Sequence, residues 1–104
     1  MTEVAESFQV SQRGSSALVV GGTLSFDTAH AALLALREGL RKGASVEELD
    51  LSDVKHSDSA GLSCVLALLA GARSHGRRLV VTHLPEGMRA LARVCEVEPL
   101  LTDA

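Results

Sequence analysis

Apolar and polar positions alternate at the start of the chain and then give way to an apolar run. Phe8 and Val10 lie two residues apart, residues 13–16 include a glycine and two serines, and an apolar run begins at Ala17. Branched apolar residues on both sides of a Gly/Ser turn are typical of a β-hairpin. The chain is therefore predicted to begin with two antiparallel strands that end near Leu24.

Apolar residues three or four positions apart indicate three helices farther along. In the first helix, leucines recur up to Leu40, two basic residues follow, and Gly43 stands where a helix typically ends. Asp58 or Ser57 is a suitable N-cap for the second helix, and Pro85 suits the first turn of the third. The predicted helices run from Ala29 to Lys42, from Ser59 to about Ser74, and from Pro85 to about Val94.

Two further strands complete the predicted fold. The segment Val46–Leu51 alternates with a period of two and predicts a strand, which a loop over Ser52–Ser57 follows. Another strand is expected over Arg78–Thr82, and the leucines of the tail, Val97–Leu101, are expected to pack back onto the fold. Short helical connections imply right-handed crossovers and parallel pairing. The sequence thus predicts a single α/β domain over residues 1–104, in the order β-β-α-β-α-β-α, with helices packed on a mixed sheet of about four strands.

The composition narrows the functions open to this chain. The 104 residues contain two Phe and neither Trp nor Tyr, and the formal net charge is −3. Binding of single-stranded nucleic acid relies on aromatic stacking platforms, and phosphate-backbone binding needs a basic surface. We therefore expect no nucleic-acid partner.

Metal, cofactor and membrane sites are likewise not expected. Cys64 and Cys95 stand among apolar neighbours and are predicted to be free, buried thiols. The four histidines lack zinc-site spacing, and Gly21-Gly22 lacks the rest of a nucleotide-binding motif. The longest uncharged apolar stretch, Ser59–Ala72, has about 14 residues, short of the roughly 20 in a membrane span. The chain also starts without a signal-peptide pattern, so a cytoplasmic protein without a direct membrane span is expected.

Polar side chains cluster where the second helix begins. Asp58 and Ser59 stand at a helix N-terminus, where free N–H groups and the helix dipole favour an anion. The simpler interpretation, which local sequence favours, is that Asp58 and its serine neighbours cap the helix. The residues Asp53, His56, Asp58 and Ser59 lie within seven positions and resemble a nucleophile with its base and orienting group. No Gly-x-Ser-x-Gly elbow surrounds Ser59, so serine catalysis is not predicted.

Small side chains recur every fourth residue along the second helix, at Ser59, Ser63, Ala67 and Gly71. Residues four apart lie on one helix face, so these four form a narrow stripe. The stripe either packs against a neighbouring element of the same domain or lets a partner approach closely. Ser59 joins this stripe to the start of the helix.

Three motifs stand out along the chain: Leu49-Asp50-Leu51-Ser52, Asp58-Ser59-Ala60-Gly61-Leu62 and Gly76-Arg77-Arg78-Leu79. In these motifs the chain resembles the STAS family, the domain of bacterial anti-sigma factor antagonists and related modules. In the antagonist branch, a second hydroxyl residue just before the glycine is the phosphorylation site, and Ala60 stands in that place here. A small residue there resembles instead the MlaB-like branch, the small cytoplasmic subunit of a phospholipid-transport ABC system.

The MlaB-like resemblance implies a non-enzymatic accessory subunit that binds the ATPase of an ABC phospholipid transporter. Such a subunit supports transporter assembly and activity in maintaining outer-membrane lipid asymmetry, and is peripheral on the inner membrane through its complex. Ser59 maps to the hydroxyl residue at that contact, and the expected partner-binding residues are Ser59, Asp58, His56, Ser63 and Ala60. The alternative is an anti-sigma factor antagonist that binds an anti-sigma factor and is controlled by phosphorylation at Ser59 or Ser57.

Overall fold

Four strands form one mixed sheet in the order β1-β2-β3-β4 in the computed structural model, which describes residues 7–101. The strands are β1 (Phe8–Arg13), β2 (Ala17–Leu24), β3 (Glu48–Ser57) and β4 (Val80–Thr82). β1 pairs antiparallel with β2, whereas β2 with β3 and β3 with β4 are parallel. The predicted hairpin and the predicted mixed sheet are confirmed.

The helices cover one face of this sheet. They are α1 (Ala29–Lys42), α2 (Ser59–Ser74), α3 (Glu86–Val94) and a short α4 (Glu98–Leu101). α1 packs on β1 and β2, α2 packs on β2 and β3, and both α3 and α4 contact α2. The element order therefore matches the predicted β-β-α-β-α-β-α, with one additional turn of helix in the tail.

Aliphatic side chains fill the core between the helices and the sheet. Strand alternation points Leu18 and Val20 of β2, and Leu49 and Leu51 of β3, towards the helices. From the helices, the fully or almost fully buried residues are Ala32, Leu36, Val65, Leu68, Met88 and Ala92. Burial of apolar surface supplies most of the favourable free energy of folding, and here it is achieved without a buried aromatic ring among the described residues.

The predicted loop over Ser52–Ser57 is wrong, because β3 continues through it to Ser57. Val54 is buried in this part of the strand and pairs with Gly22 of β2. The pairing slips twice, between Val19 and Gly21 and between Gly22 and Thr23 of β2, and each time β3 carries one residue more than β2. Each slip interrupts the period of two, so this half of the strand looks like a polar loop in the sequence.

Three smaller expectations are also corrected. β4 is limited to Val80–Thr82, shorter than the predicted strand. Cys64 is buried as expected, but Cys95 is exposed because it ends α3, where the chain turns through the left-handed Glu96. In the tail, Leu101 packs into the core, whereas Leu100 is exposed.

Arg77, just beyond α2, holds the C-terminal end of α1. Its Nη1 donates to the carbonyl oxygen of Leu40, and its Nη2 donates to those of Gly43 and Val46 at 2.8 and 3.1 Å. The last carbonyls of a helix lack partners within the helix. One guanidinium therefore ties the end of α1 and the start of the next strand to the end of α2.

Replacing Arg77 with Met keeps much of the apolar stem and removes the donors. We expect Arg77→Met to lower the free energy of unfolding by about 1.5–3 kcal/mol, because part-buried carbonyls lose a charged donor. Urea unfolding measures the change. Arg73→Met, at an exposed position in the last turn of α2, should change stability by less than about 0.5 kcal/mol. Equal losses in the two variants would contradict the role given to Arg77.

Candidate functional site

The carboxylate of Asp58 joins two segments at the end of the sheet. Asp58 has an extended backbone (φ −137°) and is the N-cap of α2, and its Oδ1 accepts from the N–H groups of Ala60 at 2.9 Å and Gly61 at 3.1 Å. Its Oδ2 accepts from the N–H of Phe26, in the loop between β2 and α1, at 3.1 Å. Capping by Asp58 is thus confirmed, and the same side chain also fixes the neighbouring loop.

The environment keeps Asp58 ionised. Partial burial alone would raise the pKa of its carboxyl, but the N–H groups of Phe26, Gly61 and Ala60 stabilise the charged form and outweigh that effect. The net result is a lowered pKa. The start of α2 therefore presents a fixed negative charge beside Ser59.

Gly61 lets α2 approach the end of β2 closely. A Cβ atom at this position would overlap with the backbone carbonyl of Leu24. The N–H of Asp58 donates to that same Leu24 carbonyl oxygen at 3.2 Å, so the two backbones are in direct contact. The glycine after Asp58-Ser59-Ala60 is thus required by packing at this junction.

The predicted partner-binding residues are divided between two neighbouring places. Ser59 and Ser63 are exposed on one face of α2, and Ala60 beside them is half-buried. His56 is exposed at the end of β3 and, with Ser57, lines a cleft of about 270 Å³. The other residues of that cleft are Val54, Lys55, Pro85 and Gly87.

The small-residue stripe of α2 also divides into two halves. Its first two members, Ser59 and Ser63, face solvent, whereas Ala67 and Gly71 are half-buried. Gly71 lines a groove of about 320 Å³ between α1 and α2, together with Leu40 of α1. The N-terminal half of the stripe is therefore the more exposed half.

Phe26 is a member of this surface that sequence reasoning missed. Its side chain is 82 % exposed, although it is one of only two aromatic residues in the chain. The N–H of Phe26 is bound to Asp58, so its loop is fixed next to the start of α2. Its position two residues before Thr28, the N-cap of α1, and outside any amphipathic pattern is the signal that could have marked it.

A second polar cluster lies on the face of the sheet opposite α1 and α2. Its centre is Asp50, which is only 2 % exposed. The carboxylate of Asp50 accepts from Arg13 Nη1 at 2.5 Å and from the N–H of Ser52 at 2.8 Å, and it contacts Nδ1 of His83 at 3.1 Å. Burial alone would raise the pKa of Asp50, but these partners hold it far below the usual range.

The same cluster contains carboxylate and imidazole groups, which are common ligands of metal cations. Ligand atoms of Glu48, Asp50 and His83 lie within 4.8 Å of one another. Arg13 already bridges the two carboxylates, with Nη2 at 3.2 Å from Glu48 and Nη1 at 2.5 Å from Asp50. A guanidinium thus neutralises the acidic pair, and a metal would have to displace it.

These motifs and this fold agree with a known family. The family model described as "Mlab, STAS domain" matches residues 8–102. The chain belongs to the STAS family. In this STAS domain, the stretch from Asp58 to Gly61 is the sheet-to-helix junction described above.

Solved structures of the anti-sigma factor antagonist SpoIIAA have a similar fold. The unphosphorylated form matches with a TM-score of 0.68 at 17% identity, covering 94% of this chain and 88% of that chain. The phosphorylated form of SpoIIAA, described as a Bacillus cell fate determinant, matches with a TM-score of 0.65 at 17% identity, covering 94% and 91%. This likeness supports the predicted α/β STAS fold. A comparison with curated proteins gives no match.

Within residues 7–101, none of the helices of this STAS domain has the length and apolar character needed to cross a membrane.

Adding a methyl group at Gly61 tests the close approach of α2 to β2. We expect Gly61→Ala to lower the free energy of unfolding by about 1–3 kcal/mol, because the backbones must separate to admit the new carbon. Gly71→Ala is the matched control on the same helix, since a Cβ there meets nothing within 4 Å. That control should raise stability by about 0.5–1 kcal/mol through helix propensity. Chemical denaturation measures both, and a stabilised Gly61→Ala would refute the packing argument.

The buried Asp50 predicts a pH dependence of stability. A carboxyl whose pKa is lowered by folding stabilises the folded state above its unfolded pKa of about 3.9, and that contribution is lost as the pH falls below this value. Asp50→Asn should therefore be less stable at neutral pH and lose less stability on acidification than the unmodified chain. Asp53→Asn alters an exposed carboxylate on the same strand and serves as control. Denaturation curves between neutral and acid pH test this, and parallel profiles for Asp50→Asn and the unmodified chain would contradict it.

Proposed function

We propose that this STAS domain is a non-enzymatic accessory subunit that binds the ATPase subunit of an ABC phospholipid transporter. In this role it supports the assembly and activity of a transporter that maintains outer-membrane lipid asymmetry. It is a cytoplasmic protein, peripheral on the inner membrane through its partner. The observation that carries the proposal is the exposed, rigid start of α2, where Ala60 follows Ser59 and no second hydroxyl precedes Gly61.

The geometry of this surface suits protein binding. Ser59 and Ser63 are exposed one turn apart, so a partner backbone meets small side chains there. Asp58 fixes the helix start and the adjoining loop through three backbone hydrogen bonds. A surface that is already ordered loses little conformational entropy when a partner binds.

The same contacts argue against a catalytic serine. Activation of a serine requires a base within hydrogen-bond reach. The carboxylate of Asp58 accepts from three backbone N–H groups, and no histidine in residues 7–101 forms a hydrogen bond with Ser59. An interaction role therefore accounts for Ser59 better than a chemical step.

Ser59→Arg places a long, charged side chain at the centre of the proposed contact. We expect co-purification with the ATPase subunit to weaken by at least about tenfold, because a buried contact would have to admit an unpaired cation. Ser45→Arg adds the same side chain at an exposed position before β3, at the opposite end of that strand from Ser59. This control should bind as the unmodified chain does. Unchanged association of Ser59→Arg would rule out this placement of the contact.

The alternative, an anti-sigma factor antagonist controlled by phosphorylation, predicts that the purified chain gains a phosphate when a kinase is present. Ser59 is exposed and follows the N-cap directly, where the helix dipole favours a phosphate. Intact mass after incubation with a candidate kinase should stay unchanged under our proposal. A phosphate on Ser59 or Ser57, together with binding to an anti-sigma factor, would favour the signalling role.

A further inference from the structure

The exposed aromatic ring of Phe26 is the feature of this surface that the fold itself does not use. Phe26 is 82 % exposed, whereas the other aromatic residue, Phe8, packs against the core. A phenylalanine side chain has a large apolar surface, and leaving most of it in water forgoes the free energy that burial would supply. A single exposed apolar residue is common on protein surfaces, but Phe26 differs in the hydrogen bonds that fix its loop and in the charges near it.

The loop that carries Phe26 is tightly fixed. The N–H of Phe26 donates to Asp58 at 3.1 Å, and the N–H of Ser25 donates to the Thr28 hydroxyl at 2.9 Å. That hydroxyl in turn donates to the carbonyl oxygen of Thr23 at 2.8 Å, and Thr28 is almost fully buried. The backbone beneath the ring is thus ordered before any partner arrives, which lowers the entropic cost of binding.

Two carboxylates belong to the residues next to Phe26, one along the chain and one through the backbone hydrogen bond at the start of α2. Asp27 follows Phe26 directly and is exposed, and the Asp58 carboxylate bonds to the N–H of Phe26. Hydrogen bonds from three N–H groups lower the pKa of Asp58 although partial burial opposes this, and they stabilise its charged form. A partner that covers the ring must therefore complement negative charge as well as apolar surface.

We propose that Phe26 is the apolar anchor of the partner-binding surface and inserts into an apolar pocket of the ATPase that is edged by Lys or Arg side chains. This inference rests on the proposed function and specifies the chemistry of the same contact. Aromatic residues placed in a partner pocket are characteristic binding hot spots, and Phe26→Ala should weaken ATPase binding by about 30-fold. Because the ring is mostly in water in the free protein, the same change should leave the unfolding midpoint nearly unaltered.

Phe26→Trp places a fluorescent side chain at the proposed anchor position. The chain contains no tryptophan, so the introduced indole is the only one present in this protein. We expect its fluorescence to shift to the blue when a Trp-free form of the purified ATPase is added, because the ring moves from water into an apolar pocket. Val94→Trp is the matched control, since Val94 is 80 % exposed on α3 and lies outside the proposed contact. Its emission should not change.

The possible outcomes separate the two proposals. A blue shift for Phe26→Trp alone, with weakened binding of Phe26→Ala, supports the anchor. Co-purification of the ATPase with all variants and no shift at position 26 overturns the anchor and leaves the proposed function standing. Failure of the unmodified chain to bind the ATPase overturns the proposed function, and the anchor falls with it.

Discussion

The carboxylate of Asp58 accepts hydrogen bonds from backbone N–H groups on both sides of the junction between sheet and helix. The packing of α2 and of the loop before α1 against this end of the sheet depends on these bonds. Through Oδ1 the carboxylate satisfies N–H groups in the first turn of α2, and through Oδ2 it holds the loop that leads into α1. The backbones at Leu24 and Gly61 can then touch. The stability of the fold and the shape of the exposed surface thus depend on the same side chain. A substitution at Asp58 therefore alters both.

The sequence predicts the architecture well where one rule acts alone. Helical spacing located α1, α2 and α3 within a residue or so, and short crossovers indicated the parallel part of the sheet. Prediction failed where tertiary pairing overrides local pattern, as in the second half of β3. There, two register slips place Val54 in the core and leave its polar neighbours outside.

The candidate site was predictable only in part, for a related reason. Asp58 and Ser59 stand out because capping follows from local sequence. Phe26, Arg77 and Asp50 act through contacts with residues more than thirty positions away, such as Asp58, Leu40 and Arg13. No local stretch of the sequence shows that an aspartate in β3 is buried beneath an arginine from β1, a strand with which β3 does not pair.

The two edges of the sheet differ in what they offer another molecule. β4 has only three residues, and beyond it the chain turns away through His83, whose φ is 57°. A three-residue edge is a poor template for adding a strand from another molecule. At the other edge, β1 has six residues, and its one charged side chain, Arg13, is engaged with Glu48 and Asp50. Addition of a strand to this sheet is thereby directed to the β1 edge and away from β4.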